Sequence, residues 1–227
     1  MTKLPKRHRI APPVAVPLLL MLCLFCGLFF SRPAAVSAQE KVVVTRIREF
    51  YPEDAILPET EVYYPQITFG GNPSQLQTAN AMMREYAIGQ YHLYRQQAKS
   101  GGLNIENAGN LPVNIADYQI LRNGGGYFSV RFRSENASLA KPGCFTVRLS
   151  DRKICRLADL FAPDTDYCAL LNRELSRQQQ TMMDKVRFDT PFCLTDDALL
   201  LVIREEGTSP TTFEVPLSAI DPRLLRL

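Results

Sequence analysis

The alternation of apolar and polar residues in residues 144–161, CFTVRLSDRKICRLADLF, is the sequence feature that most constrains the fold. Phe145, Val147 and Leu149 are separated by single polar residues, and this spacing places the two kinds of side chain on opposite faces of a β-strand. The polar run SDRK then predicts a turn, and Ile154 begins a second apolar strand. We interpret the charged tip as a solvated hairpin turn rather than a binding site.

Two other segments predict a helix and a second hairpin. In NPSQ, Asn72 can cap a helix and Pro73 suits its first position, and apolar residues then recur at helical spacing to about residue 98. The run NGGG at residues 123–126 lies between two alternating segments, which predicts a β-hairpin. A phosphate-binding loop is excluded here because neither GxGxxG nor GxxxxGK[ST] occurs. After this hairpin, Asp164 or Thr165 is expected to cap a second helix.

Residues 1–38 have the pattern of an export signal. Basic residues precede the apolar run 14–30, and the small residues of SRPAAVSA predict cleavage after Ala38. The alternative is an uncleaved membrane anchor, for which a run of about 17 residues lies at the short limit. We therefore expect residues 39–227 to form one extracytoplasmic domain that is secreted, periplasmic or envelope-bound. Contact with the membrane is expected only through the N-terminal segment, if that segment is not cleaved.

The charge distribution argues against a nucleic-acid partner. The formal net charge of +3 arises from residues 1–38, which hold five of the 26 basic residues and none of the 23 acidic ones. The remainder of the chain therefore has 21 basic residues against 23 acidic ones. Such a domain lacks the basic footprint that nucleic-acid binding normally leaves.

The sequence offers few candidate catalytic residues. His92 is the one histidine of residues 39–227, and it lies in the middle of the first predicted helix with no nucleophile-elbow motif in the chain. A single histidine does not supply the ligand set of a catalytic zinc ion, so no metal site and no cofactor are predicted. We interpret His92 as a surface or half-buried structural residue.

An exported chain with four cysteines suggests two disulfides. The cysteines that remain after processing are Cys144, Cys155, Cys168 and Cys193. A two-residue turn at Asp151-Arg152 would place Arg148 opposite Cys155, so direct pairing of Cys144 with Cys155 fits poorly. We therefore expect Cys144 or Cys155 to pair with one of the two later cysteines. Four free buried thiols are the alternative.

The strand that follows the glycine turn carries the candidate binding residues. Tyr127, Ser129, Arg131 and Arg133 alternate with apolar residues and therefore share one face. Arg131 and Arg133 on this face could meet an acidic partner. The alternative is that both arginines only solvate an outer face.

Three segments carry a resemblance to a known bacterial family. These are YYPQITF with the helix after it, TVRLSDRKICRLADLF, and FCLTDDALLLVIREEG with the later TTFEVPLSAI. With them the chain resembles the extracytoplasmic C-terminal domain of lysozyme-sensing sigma-V anti-sigma factors, a domain of unknown function that also accompanies peptidoglycan deacetylases. The resemblance covers about residues 60–220. The chain departs from it at residues 134–143, which lack the histidine that this loop usually carries.

The resemblance implies an α+β fold, in which a mostly antiparallel sheet has two main helices packed on it, and the order of the strands and helices agrees. The leading expectation for function is a non-catalytic exported module that binds an extracytoplasmic protein or peptidoglycan. The alternative is a hydrolase or deacetylase-associated enzyme that acts on cell-wall glycan, with carboxylates that are distant in sequence meeting in the fold.

Overall fold

The computed structural model of the chain describes residues 41–101, 113–134, 143–179, 185–204 and 210–227. Within these ranges the strands are β1 (Val43–Tyr51), β2 (Thr60–Thr68), β3 (Val113–Gly124), β4 (Tyr127–Ser134), β5 (Cys144–Arg148), β6 (Lys153–Ile154), β7 (Phe192–Leu194), β8 (Ala198–Ile203) and β9 (Thr211–Pro216). The α-helices are α1 (Gln77–Lys99) and α2 (Tyr167–Gln179). β1 to β6 form a six-stranded sheet in chain order, and β7 to β9 form a three-stranded sheet. The predicted α+β class with two main helices is therefore confirmed.

One strand pair makes the larger sheet mixed rather than antiparallel throughout. β2 and β3 run parallel through Thr60, Glu61 and Val62, whereas the other strand pairs of the described residues run antiparallel. Parallel neighbours need a long crossover connection, and here the connection contains α1. Pro65 lies in β2 beyond the residues that pair with β3, so its missing N–H breaks no hydrogen bond between those two strands.

The glycine turn forms the hairpin that its sequence predicts. Gly124 pairs with Tyr127 across the turn, and the two residues between them, Gly125 and Gly126, have φ values of 58° and 80°. Two consecutive residues with positive φ are the signature of a type I′ turn, which glycine adopts without steric cost. β3 and β4 are therefore held in register by local chemistry.

The first helix begins as predicted, but the second is capped by a different residue. Asn72 Oδ1 accepts a hydrogen bond from the Ser74 backbone N–H at 3.0 Å, and a short 3-10 turn leads into α1. At α2 the side chain of Asp166 accepts from the Ala169 backbone N–H at 3.0 Å. The cap is therefore Asp166 rather than Asp164 or Thr165, because Asp164 adopts a positive φ of 62° in the turn before the helix.

Two hydrophobic clusters hold the fold together. The first lies between α1 and the inner face of the six-stranded sheet, where Val62, Ile67, Met83, Ala87 and Phe128 are each 0% exposed. Full burial of such an aliphatic or aromatic side chain contributes about 1.5–3 kcal/mol to the free energy of unfolding. This cluster therefore fixes the inner face of the sheet against the helix.

The second cluster belongs to the three-stranded sheet and α2. Leu171 and Leu175 of α2 are fully buried with Leu194, Leu201 and Val215 of the smaller sheet. Tyr127 of β4 joins this cluster, whereas its neighbour Phe128 belongs to the first. The prediction that both helices pack on one sheet is therefore wrong for α2, which packs with the smaller sheet.

The predicted signal or anchor at residues 1–38 lies outside the described residues. Among the residues that are described, no helix has both the length and the apolar character needed to cross a membrane.

Candidate functional site

The face of the six-stranded sheet opposite α1, here called the outer face, has two halves. At the covered half, Tyr127, Ser129 and Thr146 are buried beneath β7. At the exposed half, β1 to β3 and the end of β4 present charged side chains to solvent, with Arg133 among the exposed residues. Both halves therefore include residues of β4.

The two predicted binding residues lie where the exposed half begins. Arg131 is half-buried and pairs in register with Gln119 of β3 and Cys144 of β5. Arg133 is exposed, and its Nη2 donates to Gln119 Oε1 at 2.7 Å. The shared face that the alternation predicts for Arg131 and Arg133 agrees with this placement, whereas their role in binding stays a prediction.

β1 and β2 add arginines and aromatic rings to the exposed half, which sequence analysis did not single out. Arg46 donates to Asp117 of β3 at 2.9 Å and lies over the Tyr63 ring, with its guanidinium carbon 3.9 Å from the ring centroid. Arg48 forms an ion pair with Glu61. Both arginine side chains are 53% exposed. The alternation in VVTRIREFY was the available signal, since it places Arg46 and Arg48 on one face of a strand.

The carboxylate of Glu61 in the exposed half is held by a tyrosine and an arginine. The Tyr63 hydroxyl donates to Glu61 at 2.5 Å, and this hydrogen bond together with Arg48 lowers the pKa of Glu61. The same hydrogen bond raises the pKa of Tyr63. The charged side chains described in the exposed half include Arg46, Arg48, Glu61, Asp117, Arg131 and Arg133. The arginines outnumber the carboxylates in this set, so the set has a net positive charge.

The covered half satisfies its polar groups internally. Ser129 Oγ lies 2.9 Å from Thr146 Oγ1, and it accepts a hydrogen bond from the Leu194 backbone N–H at 2.9 Å. The Tyr127 hydroxyl donates to the Arg226 backbone carbonyl at 2.8 Å. Burial of these groups costs little because each has a partner. The three-stranded sheet is thus positioned on the larger sheet by directional contacts as well as by apolar packing.

All four described cysteines are free thiols, so the two predicted disulfides are not formed in this structure. The predicted turn was also too short, because Arg148 pairs with Lys153 and residues 149–152 form the turn. Cys155 consequently lies opposite Thr146, to which its backbone N–H donates at 2.7 Å. Cys144 and Cys155 still do not face each other. Burial raises the pKa of Cys155 to about 11, so its thiol stays protonated.

Two of the cavities on the described surface adjoin features discussed above. One, of about 360 Å³, is lined by both Cys144 and Cys155 together with Asp189 and Phe192. The other, of about 440 Å³, lies between β2 and the start of α1 and is lined by both apolar and polar residues. Its polar lining residues include Tyr64, Gln66, Ser74, Gln77, Asn80 and Arg84.

A carboxylate near the second cavity is held by a hydrogen-bond network. Glu49 accepts from the hydroxyl of Tyr64 at 2.8 Å, from the hydroxyl of Tyr51 at 3.1 Å and from Arg84 Nε at 3.0 Å. Burial opposes ionisation of Glu49, but the hydrogen bonds from Tyr64 and Tyr51 and the charge of Arg84 together lower its pKa. This network links β1 and β2 to α1. We interpret its role as structural rather than catalytic.

His92 is an exposed residue of α1 beside the Tyr91 ring. Because α1 packs on the inner face, His92 lies across the sheet from the exposed half. The loop at residues 134–143, where the resemblance described above leads one to expect a histidine, lies almost wholly outside the described residues. Within the parts of the chain that are described, no three His, Cys, Asp or Glu residues group as metal ligands.

Among solved structures, the chain has a distant similarity to a protein of bacterial origin. No family model and no curated protein matches the sequence. A crystal structure of a DUF3298 family protein from Pseudomonas aeruginosa PAO1 has a TM-score of 0.41 and 12% sequence identity, over 82% of this chain and 94% of that one. At this TM-score and identity the similarity does not assign the chain to a family.

Proposed function

We propose that the chain is an exported envelope module that binds an anionic cell-wall glycan on the exposed half of its outer face and performs no chemistry of its own. The observation that carries this proposal is the alignment of arginine, carboxylate and aromatic side chains across four neighbouring strands. Arg46, Arg48, Arg131 and Arg133 can each present a planar fork of donors to a carboxylate. Regular strands hold these groups at fixed spacing, which suits a repeating polymer.

Aromatic rings at the same surface support a glycan rather than a simple anion. Phe50 is 45% exposed, and Arg48 lies 5.4 Å from the centroid of its ring. Tyr63 lies on the neighbouring strand beneath Arg46. Phe and Tyr rings offer apolar faces to sugar rings, while the arginines beside them offer hydrogen-bond donors.

Binding without turnover is supported by what lies near this surface. His92 belongs to the helix on the other side of the sheet, so it is out of reach as a general base for a ligand bound on the outer face. Glu61 has a lowered pKa, which suits a hydrogen-bond acceptor better than a general acid near neutral pH.

Export and family resemblance support the location and the type of partner. Residues 1–38 have the basic, apolar and small-residue order of a secretion signal. The extracytoplasmic anti-sigma domains that the chain resembles belong to lysozyme-sensing proteins, and this resemblance supports a position beside the cell wall. A module of this kind would report on the wall by binding it.

The test is a sedimentation assay with purified cell-wall sacculi. Protein recovered from the envelope or medium is incubated with sacculi, and the bound fraction and any released fragments are measured by chromatography. We expect saturable binding that weakens as salt rises, because exposed charges are screened, and no released fragments. Intact mass of the same protein checks cleavage after Ala38, and a mature chain that still begins at Met1 would indicate an anchor.

A matched pair of variants tests the surface. The double variant Arg131→Ala, Arg133→Ala should weaken binding by about tenfold or more, since tenfold corresponds to about 1.4 kcal/mol. The control double variant Arg177→Ala, Arg223→Ala removes arginines whose ion pairs lie elsewhere on the surface, and its binding should be unchanged. Equal binding by both variants would remove the arginine face from the proposal. Released fragments would favour the hydrolase alternative, and absence of binding to sacculi would favour a protein partner.

A further inference from the structure

Two cysteines from different sheets meet at the boundary between the covered and exposed halves. Cys193 of β7 is 0% exposed, and its Sγ lies 3.3 Å from the Val130 backbone carbonyl of β4. The next residue of β7, Leu194, is fixed by its backbone hydrogen bond to Ser129 Oγ. The position of Cys193 over β4 is therefore set by two contacts on consecutive residues.

Cys144 approaches the same point from β5. It pairs in register with Arg131, the residue after Val130 on β4, and β5 packs against β7, where the Cys144 and Cys193 thiols interact. Cys144 is half-buried and lines the cavity of about 360 Å³. One thiol of the pair is thus open to a reagent, and the other is enclosed behind it.

We propose that Cys144 and Cys193 form a redox-active dithiol, which closes to a disulfide between the two sheets by exchange with an oxidant of the organic disulfide class. Within the described chain this is the pair in which an accessible thiol touches a buried one. The inference does not depend on glycan binding, because it rests on the contact between β5 and β7.

The exchange balances in two steps. The Cys144 thiolate attacks one sulfur of the oxidant R–S–S–R, so that a mixed disulfide forms at Cys144 and one R–S⁻ leaves. The Cys193 sulfur then attacks Cys144 Sγ and expels the second R–S⁻, which takes up the proton of Cys193. The oxidant gains two electrons and yields two thiols, while the protein loses two electrons and two protons.

The surroundings of the pair agree with these roles. Burial raises the pKa of Cys193 well above that of an ordinary thiol, and the hydrogen bond and charge of Cys144 raise it further. The charge of Arg131 acts in the opposite direction. Conversion of Cys144 to a mixed disulfide removes its ionisable thiol, which eases deprotonation of Cys193 for the second step.

The other two cysteines have different environments. Cys155 lines the same cavity but is buried, and its burial raises the pKa of the thiol to about 11. Cys168 lies at the start of α2 and packs against the second hydrophobic cluster. The proposal therefore predicts one disulfide in the oxidised protein, with Cys155 and Cys168 still reduced.

The experiment treats the purified full chain, under native conditions, with glutathione disulfide. Remaining thiols are alkylated after unfolding, and non-reduced peptides are mapped by mass spectrometry. We expect a Cys144–Cys193 cross-link with alkylated Cys155 and Cys168. A cross-link that involves Cys155 or Cys168, or four alkylated thiols after prolonged oxidation, would overturn the proposal.

Two variants test which thiol attacks the oxidant and which thiol then expels the bound glutathione. In Cys193→Ser, glutathione should remain attached to Cys144 because no second thiol can expel it. In Cys144→Ser, glutathione should attach to neither position, because Cys193 is enclosed. Circular dichroism of each variant checks its fold, and the wild-type map decides alone if a variant fails to fold. Glutathione on Cys193 of the folded Cys144→Ser variant would contradict the assigned order.

Discussion

The two halves of the outer face differ although β4 contributes the same alternating pattern to both. Tyr127 and Ser129 are 3% and 0% exposed, whereas Arg131 is half-buried and Arg133 is exposed. The hydrogen bonds from β7 to β4 lie at Ser129 and Val130, on the buried side of this change. The strand period assigns a side chain to a face, but the element packed on that face decides whether the side chain is core or surface.

The same difference separates two kinds of polar interaction. In the covered half, Ser129 Oγ lies 2.9 Å from Thr146 Oγ1 and 2.9 Å from the Leu194 backbone nitrogen. Ser129 is buried. In the exposed half, Arg46 meets Asp117 at 2.9 Å in contact with solvent. Loss of a buried partner costs the desolvation of the group left behind, whereas an exposed ion pair contributes about 0–1 kcal/mol.

The largest effect is expected from the covered half at Leu194. Leu194→Ala removes a fully buried side chain of β7 and should lower the free energy of unfolding by about 3 kcal/mol. The measurement is urea unfolding followed by circular dichroism. As a control, Val43→Ala truncates an apolar side chain that is 63% exposed and should cost under about 0.5 kcal/mol. Equal losses from both variants would contradict the assignment of Leu194 to the core.

A smaller effect is expected from Ser129→Ala. The change leaves the Leu194 N–H without its acceptor in a buried site, which should cost about 1–3 kcal/mol. Amide hydrogen exchange should report faster exchange at Leu194, and urea unfolding gives the free-energy change. Unaltered exchange at Leu194 would show that the hydroxyl does not hold β7 in place.

A still smaller effect on stability is expected from Arg46→Ala in the exposed half. The variant loses the ion pair with Asp117 and the contact with the Tyr63 ring. Because both contacts face solvent, the free energy of unfolding should fall by no more than about 1 kcal/mol. Binding to sacculi should weaken in the same variant. A large loss of stability with unchanged binding would indicate that Arg46 stabilises the fold and does not bind the ligand.

The smallest effect concerns pH and the Glu49 network. The pKa of Glu49 in the folded chain lies below its ordinary value of 4.5, so its ionised form stabilises the fold above that pH. This stabilisation is lost as the pH falls through the folded pKa. In Glu49→Gln, the free energy of unfolding should therefore fall less steeply as the pH drops below about 4.5. Its dependence on pH near pH 7 should be unchanged. Identical acid-unfolding curves for the two proteins would contradict this assignment.

Features with local causes could be predicted from the sequence. The hairpin at Gly125 and Gly126, the cap at Asn72 and the shared face of Arg131 and Arg133 each follow from residues close together in the chain. Turn chemistry, capping and strand period act over a few residues, so one sequence is enough to identify them.

Features set by distant segments could not be predicted in this way. The parallel pairing of β2 with β3 and the burial of Ser129 both depend on segments that are remote in sequence. The contact between Cys144 and Cys193 is of the same kind, since it arises from packing of one sheet on another. An even number of cysteines suggests cross-links, but only the fold shows which two thiols meet.

The parallel pair also divides the folding of the larger sheet into local and remote steps. The β1–β2 and β3–β4 hairpins join strands that are neighbours in sequence, whereas β2 meets β3 only after residues 69–112 have closed into a loop. Closing this loop costs chain entropy before the contacts between β2 and β3 can form and stabilise the fold. We expect docking of α1 to limit the refolding rate. Stopped-flow refolding of Ala87→Gly, a change in the buried face of α1, should then be slowed. An unchanged folding rate with faster unfolding would place helix docking after the rate-limiting step.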